Sequence, residues 1–362
     1  MDCPHIPELS YSQFGENLGN RIAGKRVPIS GSLELTFRCN LRCQHCYVSH
    51  GNNGIPGQQE LSTSEIQRII DEVVDAGCLW FLLTGGEPLV RRDFLDIYTY
   101  AKRKGLIITL FTNGTLITPR IADYLADWQP FKVEITLYGF SQETYELVTG
   151  IPGSHARCMR GIELLLERGL QLNLKTMLMT LNQHEIHDMR AFAESLGVPF
   201  RYDPMLNAGL DGDGRPTSLR ISPQEVVQLD LQDQERAEEW RSFIQRTKGY
   251  QNLGDNLYVC GAGERSFHID PYGRLCLCMM ARYSSYDLRS SPFQDGWGQF
   301  FPQIRSQKIE GNYICSQCEL MPLCGQCPGW SFTEHGETQK PVDYLCQVAH
   351  LRYESFKVLE KN

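Results

Sequence analysis

Three cysteines stand close together in the run Cys39-Asn40-Leu41-Arg42-Cys43-Gln44-His45-Cys46. Thiolates at such spacing are ligands for soft metals and iron–sulfur clusters. Three of them on a four-iron cluster leave one iron without a protein ligand, and an open metal position is what a catalytic site needs. A zinc knuckle completed by a ligand elsewhere is the alternative that the three cysteines leave open. A second cysteine array lies far downstream: Cys260, Cys276 and Cys278, then Cys315-X2-Cys318-X5-Cys324-X2-Cys327, and finally Cys346. Here too a zinc ribbon over Cys315–Cys327 stays open beside cluster ligation. Cys3, Cys78 and Cys158 stand alone and read as packing residues.

The bulk properties narrow the setting. The chain has 362 residues and 41% hydrophobic content, enough for one large domain and a smaller one. A formal charge of −8 and the lack of a long Lys/Arg tract give no attraction for nucleic acid or anionic lipid. No apolar run is long enough to span a membrane, and MDCPHIPELS lacks the features of a signal peptide, so a cytoplasmic protein is expected. In a reducing compartment fourteen cysteines point to metal or cluster ligation rather than disulfides.

The elements that must position these residues alternate. Apolar runs at 32–38, 80–84, 107–112, 132–137, 171–179 and 199–203 are separated by amphipathic helical segments, giving six βα-like units. Ser62 and Glu65 form a capping box ahead of Ile66, Ile69, Ile70, Val73 and Val74, and Gly77 ends that helix. Asp93, Thr118-Pro119 and Ser154 mark further helix starts, and Gly105 and Gly169 mark stops. This order favours an α/β fold with a parallel sheet whose functional loops gather at the strand C-termini, where the first cysteines fall. Residues 1–30 lack periodicity and read as an extension on the main domain. The domain proper is expected over 31–220, a helical bridge over 221–255, the cysteine-rich region over 256–350 and a helical tail over 351–362. The turn Asp270-Pro271-Tyr272-Gly273 separates two apolar runs, and strand alternation puts Cys276 and Cys278 on one face.

With its CX3CX2C spacing the first cluster resembles the signature of the radical S-adenosylmethionine (SAM) superfamily, with His45 in the aromatic slot. Further matches follow in order on successive strands: Gly85-Gly86-Glu87-Pro88 resembles the GGEP motif, Thr112-Asn113-Gly114 the TNG turn, and Thr136 falls where relatives often have a ribose-contacting serine. The resemblance implies a partial (β/α)6 TIM barrel and SAM contacts at His45, Gly85, Gly86, Glu87, Asn113, Thr136, Lys175 and Leu181. Glu87 would hold the methionine ammonium group, with the glycines permitting close backbone approach. Many relatives carry Arg-Gly after the ITLYG strand where this chain has Thr149-Gly150. Lys175, on the Asn173/Lys175/Met177/Met179 face of its strand, is the candidate to replace that arginine; a solvated lysine at a strand edge is the other reading. The implied chemistry is reductive cleavage of cluster-bound SAM to methionine and a 5′-deoxyadenosyl radical that abstracts hydrogen, with a flavodoxin- or ferredoxin-type reductant as partner. No general acid or base is assigned.

The downstream array resembles the SPASM domain of peptide- and protein-modifying members, with X2 in place of the usual X3 between the last two cysteines. Removing Cys39, Cys43, Cys46 and the three isolated cysteines from fourteen leaves eight, four for each of two auxiliary [4Fe-4S] clusters. Family wiring implies Cys260, Cys278 and Cys327 for one cluster, with Cys276 as its fourth ligand or else a spare buried thiol, and Cys315, Cys318, Cys324 and Cys346 for the other. A peptide substrate follows from the resemblance, as for a maturase of ribosomal peptides. Sulfatase-maturing enzymes place an aspartate where this chain has Met279, which disfavours that reading. The segment ahead of the first strand is short for a leader-binding domain, so either a separate leader-binding protein or direct recognition by the barrel mouth is expected to select the peptide. A radical SAM enzyme acting on a sugar or a porphyrin-type precursor is the runner-up, and a non-catalytic iron–sulfur or zinc scaffold comes last.

Overall fold

The computed structural model describes residues 10–48, 57–250 and 254–357, which leaves Cys3 outside the described residues. Six parallel strands form the expected α/β barrel wall: β1 (Ser30–Glu34), β2 (Trp80–Thr84), β3 (Ile107–Thr112), β4 (Lys132–Thr136), β5 (Leu172–Met177) and β6 (Phe200–Asp203). The helices between them are α2 (Thr63–Asp75), α3 (Phe94–Arg103), α4 (Pro119–Asp127), α5 (Gln142–Thr149), α6 (Ser154–Leu166) and α7 (Ile186–Ser195), after an N-terminal α1 (Tyr11–Arg21). Strand alternation explains the layers. Leu33, Leu83, Leu110, Ile135 and Leu174 face outward into one core with Ile66, Ile69, Ile70 and Val73 of α2. The inner face carries Glu34, Thr84, Phe111, Glu134, Thr136 and Lys175, so it is lined largely with polar groups.

The cysteine-rich region does not stand apart from this wall. Strand β7 (Ser266–Ile269) pairs parallel to β1 on the side opposite β2, and β8 (Arg274–Cys276) and β9 (Tyr286–Asp287) continue antiparallel. One nine-stranded sheet results, in the order β6-β5-β4-β3-β2-β1-β7-β8-β9. Helices α8 (Pro223–Gln232) and α9 (Gln234–Thr247) form the bridge. After the sheet come α10 (Phe293–Asp295), α11 (Phe301–Arg305), α12 (Met321–Cys324), α13 (Pro328–His335) and α14 (Asp343–Phe356).

Several local expectations need correction. The first run stops as a strand at Glu34, because its partner β2 ends at Thr84; Leu35 still donates to the Thr84 carbonyl (2.8 Å), and the chain then turns. The fifth run likewise ends at Met177. The N-terminal stretch is not irregular throughout: Ser10 and Gln13 make a capping box for α1, whose Tyr11 ring lies 4.9 Å from Phe131 and 6.3 Å from Trp80. Gly153, with φ +71°, takes the N-cap position of α6 expected for Ser154, which is the first helical residue and whose buried hydroxyl pairs with Thr149 (2.8 Å). Asp93 precedes α3 without capping it and instead binds Arg91 and Thr63. The helical bridge consists of two helices, since Asp233 ends α8 and caps α9. The tail after Cys346 belongs to a helix that already contains Cys346. The Ser62/Glu65 capping box, the Thr118 cap and the hairpin turn at Asp270–Gly273 are as read from the sequence.

Candidate functional site

The first cysteine loop is shaped by its neighbours. Past β1 the chain crosses the end of β2, where Gly86 donates to the Thr36 carbonyl (2.7 Å) and Glu87 to the Arg38 carbonyl (2.9 Å). A side chain on Gly85 would collide with the Thr36 carbonyl, and one on Gly86 with the Arg38 carbonyl. The glycines therefore allow close approach as expected, but to the backbone leading into Cys39. From the other side the last turn of α5 offers its unpaired carbonyls: Arg42 donates to Thr149 (2.8 Å) and Gln44 to Val148 (3.0 Å). Val148 and Thr149 thus brace the cysteine loop through their backbone carbonyls.

Asn113 of the TNG turn completes the clamp. Its amide donates to Asn40 Oδ1 (3.0 Å) and to Cys39 Sγ (3.8 Å), while Leu41 N–H donates to the same sulfur (3.4 Å). Glu87 is held from three sides. It is fully buried, and its carboxylate accepts from the Thr112 hydroxyl (2.8 Å), Asn113 N (2.7 Å) and Leu89 N (3.1 Å). Burial pushes this carboxyl up to about 7. These contacts tie β2 to β3 and leave one lone-pair direction of the carboxylate open.

The donor set fits an iron–sulfur group. Burial raises all three thiols, Cys39 to about 12, and the Cys43 thiol is raised further by the charges of Cys46 and Cys39. No local cation is among the causes that shift them, so joint ionisation needs the positive charge of bound metal. His45 is buried and lies 5.4 Å from the Tyr138 ring; burial pushes it down to about 4, and its Nδ1 atom has no hydrogen-bond partner. Among the described residues no three Cys, His, Asp or Glu side chains are placed to share one ion. A cluster asks for no such convergence, since each thiolate takes its own iron.

Deeper on the inner face, Lys175 lies 3.2 Å from Glu134 and 2.8 Å from the centre of the Phe111 ring. Lys132 (2.9 Å) and Arg201 (2.5 Å) hold the same carboxylate. Lys175 is therefore an inward-facing, ion-paired residue rather than a solvated edge lysine. Thr136 stands beside it in register, and Leu181 packs with Val148, Met179 and Leu206 at the mouth.

The auxiliary cysteines fall into two groups. Cys315, Cys318, Cys324 and Cys346 line one cavity together with Gln326, Pro341 and His350. Gln326 ties its walls, donating to the Ser331 hydroxyl (2.5 Å) and accepting from Val342 N (3.1 Å). In the other group Cys278 and Cys260 act on Cys327 through their charge, and Cys260 acts on Cys278. Cys276 lies at the end of β8, where the charge of Cys278 also acts on it. Strand β8 ends at Cys276, so alternation does not carry on to Cys278, which sits in the following bend. The Cys276 thiol is buried, donates to the Arg274 carbonyl (3.8 Å) and borders Asp270 and Arg282.

Sequence reasoning missed one feature next to these loops. Glu34, at the end of β1, is fully buried and accepts from Arg282, His268 and Tyr47. Burial alone would raise its carboxyl, but Arg282 and His268 outweigh that and hold it well below the usual carboxylate range. A glutamate in an apolar strand was the only signal.

Residues 33–196 match the family model described as the radical SAM superfamily. Over 320 residues the chain is 30% identical to the mycofactocin maturase MftC of Mycobacterium ulcerans, covering 85% of each protein. It is 26% identical over 347 residues to the AdoMet-dependent heme synthase of Methanosarcina barkeri, covering 89% of this chain and 97% of that one. The solved structure of Streptococcus suis SuiB bound to the precursor peptide SuiA shares the fold, with a TM-score of 0.68 at 15% identity over 95% of this chain and 84% of SuiB. With the ordered motifs, the braced three-cysteine loop and this similarity all in agreement, the chain belongs to the radical SAM superfamily, as a SAM-dependent iron–sulfur enzyme whose cysteine-rich C-terminal region is of the SPASM type.

Proposed function

We propose that this enzyme is a peptide maturase that abstracts hydrogen from a residue of a polypeptide, leaving a crosslink or an oxidised residue. The observation that carries the reading is the unclosed sheet. Strands β6 and β9 are its two edges, so the inner face opens sideways, with the Arg201 side chain 61% exposed at the β6 edge. An extended chain can lie across such an opening, whereas a closed barrel admits only what fits its mouth. Similarity to a mycofactocin maturase supports the same reading.

In this proposal Cys39, Cys43 and Cys46 hold the SAM-binding cluster, and Cys315, Cys318, Cys324 and Cys346 hold an auxiliary one. Cys260, Cys278 and Cys327 hold another, with Cys276 outside it. When bound, the first cluster supplies the electron that cleaves SAM to a hydrogen-abstracting radical. The chain's own residues do the positioning. The N–H groups of Asn113 and Leu41 are directed at the Cys39 sulfur, where donors tune a cluster. Neutral His45 and the Tyr138 ring keep water from the loop. The inner-face groups Thr136 and Lys175, with Leu181 at the mouth and the backbone of Gly85 and Gly86, form the shelf for SAM.

A second reading, a carboxylate-bearing small molecule of porphyrin type, is favoured by the similarity to a heme synthase and by Lys132, Lys175 and Arg201 gathered around Glu134. One set of measurements tests both. Anaerobic reconstitution should give about 12 irons in wild type and about 8 in the C39A/C43A/C46A variant, with 5′-deoxyadenosine formed from SAM by wild type alone. Deuterium passed to 5′-deoxyadenosine from a labelled short peptide encoded beside this gene supports the maturase. Deuterium passed from a labelled porphyrin precursor instead establishes the second reading.

A further inference from the structure

We propose that the Glu34–Arg282 ion pair is a positioning latch, fixing the first cysteine loop against the Cys278 turn so that the groups bound by the two regions keep one separation and orientation. The proposal rests on the cluster reading above and adds a role for residues outside every ligand set. Glu34 closes β1 and is fully buried. Its Oε1 accepts from the Tyr47 hydroxyl (3.0 Å) and Arg282 Nη2 (2.9 Å), and its Oε2 from Arg282 Nη1 (2.7 Å) and His268 Nε2 (3.3 Å). Four donors occupy the four lone-pair directions of a carboxylate. Glu34 is thus saturated from within the protein, which points to positioning rather than to substrate binding.

The donors arrive from parts of the chain that must stay in register. Tyr47 directly follows Cys46, and its carbonyl accepts from Leu210 N (2.9 Å). His268 lies on β7 opposite Ser32, with its Nδ1 2.8 Å from the Ser32 hydroxyl. Arg282 comes four residues after Cys278; its Nε donates to the Met279 carbonyl (2.7 Å), folding the side chain over the turn, and its guanidinium lies 5.5 Å from the centre of the Phe37 ring ahead of Cys39. Beyond the turn Gly329, two residues after Cys327, packs so tightly on Met280 and Ala281 that an added methyl would lie 2.9 Å from Met280 Cβ. An unbroken set of contacts therefore runs from Cys46 through Tyr47, Glu34 and Arg282 to the turns bearing Cys278 and Cys327. A bidentate arginine–carboxylate pair is suited to this, because it fixes direction as well as distance.

The test uses the full reconstituted protein with SAM as the probe, comparing wild type with E34Q, R282M and the E34Q/R282M double variant. Iron content, the distance distribution between the first cluster and the Cys278-side cluster by pulsed EPR, and the rate of 5′-deoxyadenosine formation are read together. The latch predicts that iron-replete single variants show a broadened distribution and SAM cleavage slowed about 10²-fold, the scale of a small misplacement. Iron-replete single variants with the wild-type distribution and rate overturn it. If the single variants lose iron because a buried charge is left unpaired, the double variant decides, since it leaves none. A broad distribution in it supports the latch, and a wild-type one overturns it. A wild-type protein that takes up no iron sinks the cluster reading itself, whereas an iron-loaded wild type with indifferent variants sinks the latch alone.

Discussion

The first cysteine loop and the Cys315–Cys346 array hold their thiols by opposite means. In the loop, almost every restraint comes from far along the chain: carbonyls of α5 receive Arg42 and Gln44, Gly86 and Glu87 of β2's end pin Thr36 and Arg38, and Asn113 reaches Cys39. In the array, restraint is local. A 3-10 turn (Ile314–Gln317), the four-residue α12 and a left-handed Gly325 (φ +67°) set three of the cysteines within ten residues, and Gln326 and α14 close the cavity. The open-sited loop depends on the whole barrel, so it can be coupled to the substrate face. The array draws on its own turns and on α14, which is held against the bridge helices α8 and α9 through Arg352–Asp230 and the cluster of Leu323, Val227, Ala237 and Ile244.

Breaking the first region through a residue outside the cysteine set should give the largest effect. G86A adds a methyl that meets the carbonyls of Phe37 (2.7 Å) and Arg38, and backbone cannot step aside as a flexible side chain does. We expect 5′-deoxyadenosine formation from SAM to fall about 10²-fold, with the iron of the auxiliary region retained. Activity assays paired with iron analysis check this; auxiliary iron lost in parallel would mean that the two regions are not independent as described. The comparison sharpens at Cys346 and Cys276. C346A should lower the iron content, because it takes one of four thiols from the cavity. C276A should remove none, because that thiol donates to the Arg274 carbonyl and borders Asp270 and Arg282. Iron analysis of the two variants separates the outcomes, and iron lost from C276A would restore it as a ligand.

What the sequence made legible follows the same division. The cysteine spacing, GGEP, TNG and the Ser62/Glu65 box are local patterns whose meaning survives without knowing what folds against them. The Asp270–Gly273 turn is local as well, down to Asp270 accepting from Tyr272 N and Arg274 N (2.9 Å each). Three things were not legible. Glu34 and Arg282 are separated by 248 positions and share no spacing rule, so only the β1–β7 pairing reveals them. Cys276 and Cys278 look alike under strand alternation, but the ladder that would carry the alternation stops at Cys276. Glu87 carries the motif's one charge, and the burial that turns it inward depends on the neighbouring TNG turn.

The smallest expected effect concerns the inner wall between the two regions, at Lys175. Burial, with Arg201 and Lys132 nearby, outweighs the attraction of Glu134 and draws this ammonium down to about 7, from about 10.4 for a free lysine. Between those values the unfolded chain binds more protons at this position than the folded one, so stability should rise with pH through that window. The K175M variant has no such proton to lose. Denaturant midpoints of both proteins from pH 7 to 10 should therefore diverge, wild type gaining stability relative to K175M as pH climbs. A constant difference across the window would mean that Glu134 keeps the lysine charged throughout. The inner wall would then carry a fixed positive charge at the place where a substrate carboxylate or the SAM carboxylate would settle, and the choice between a peptide and a carboxylate-rich small molecule would tilt toward the latter.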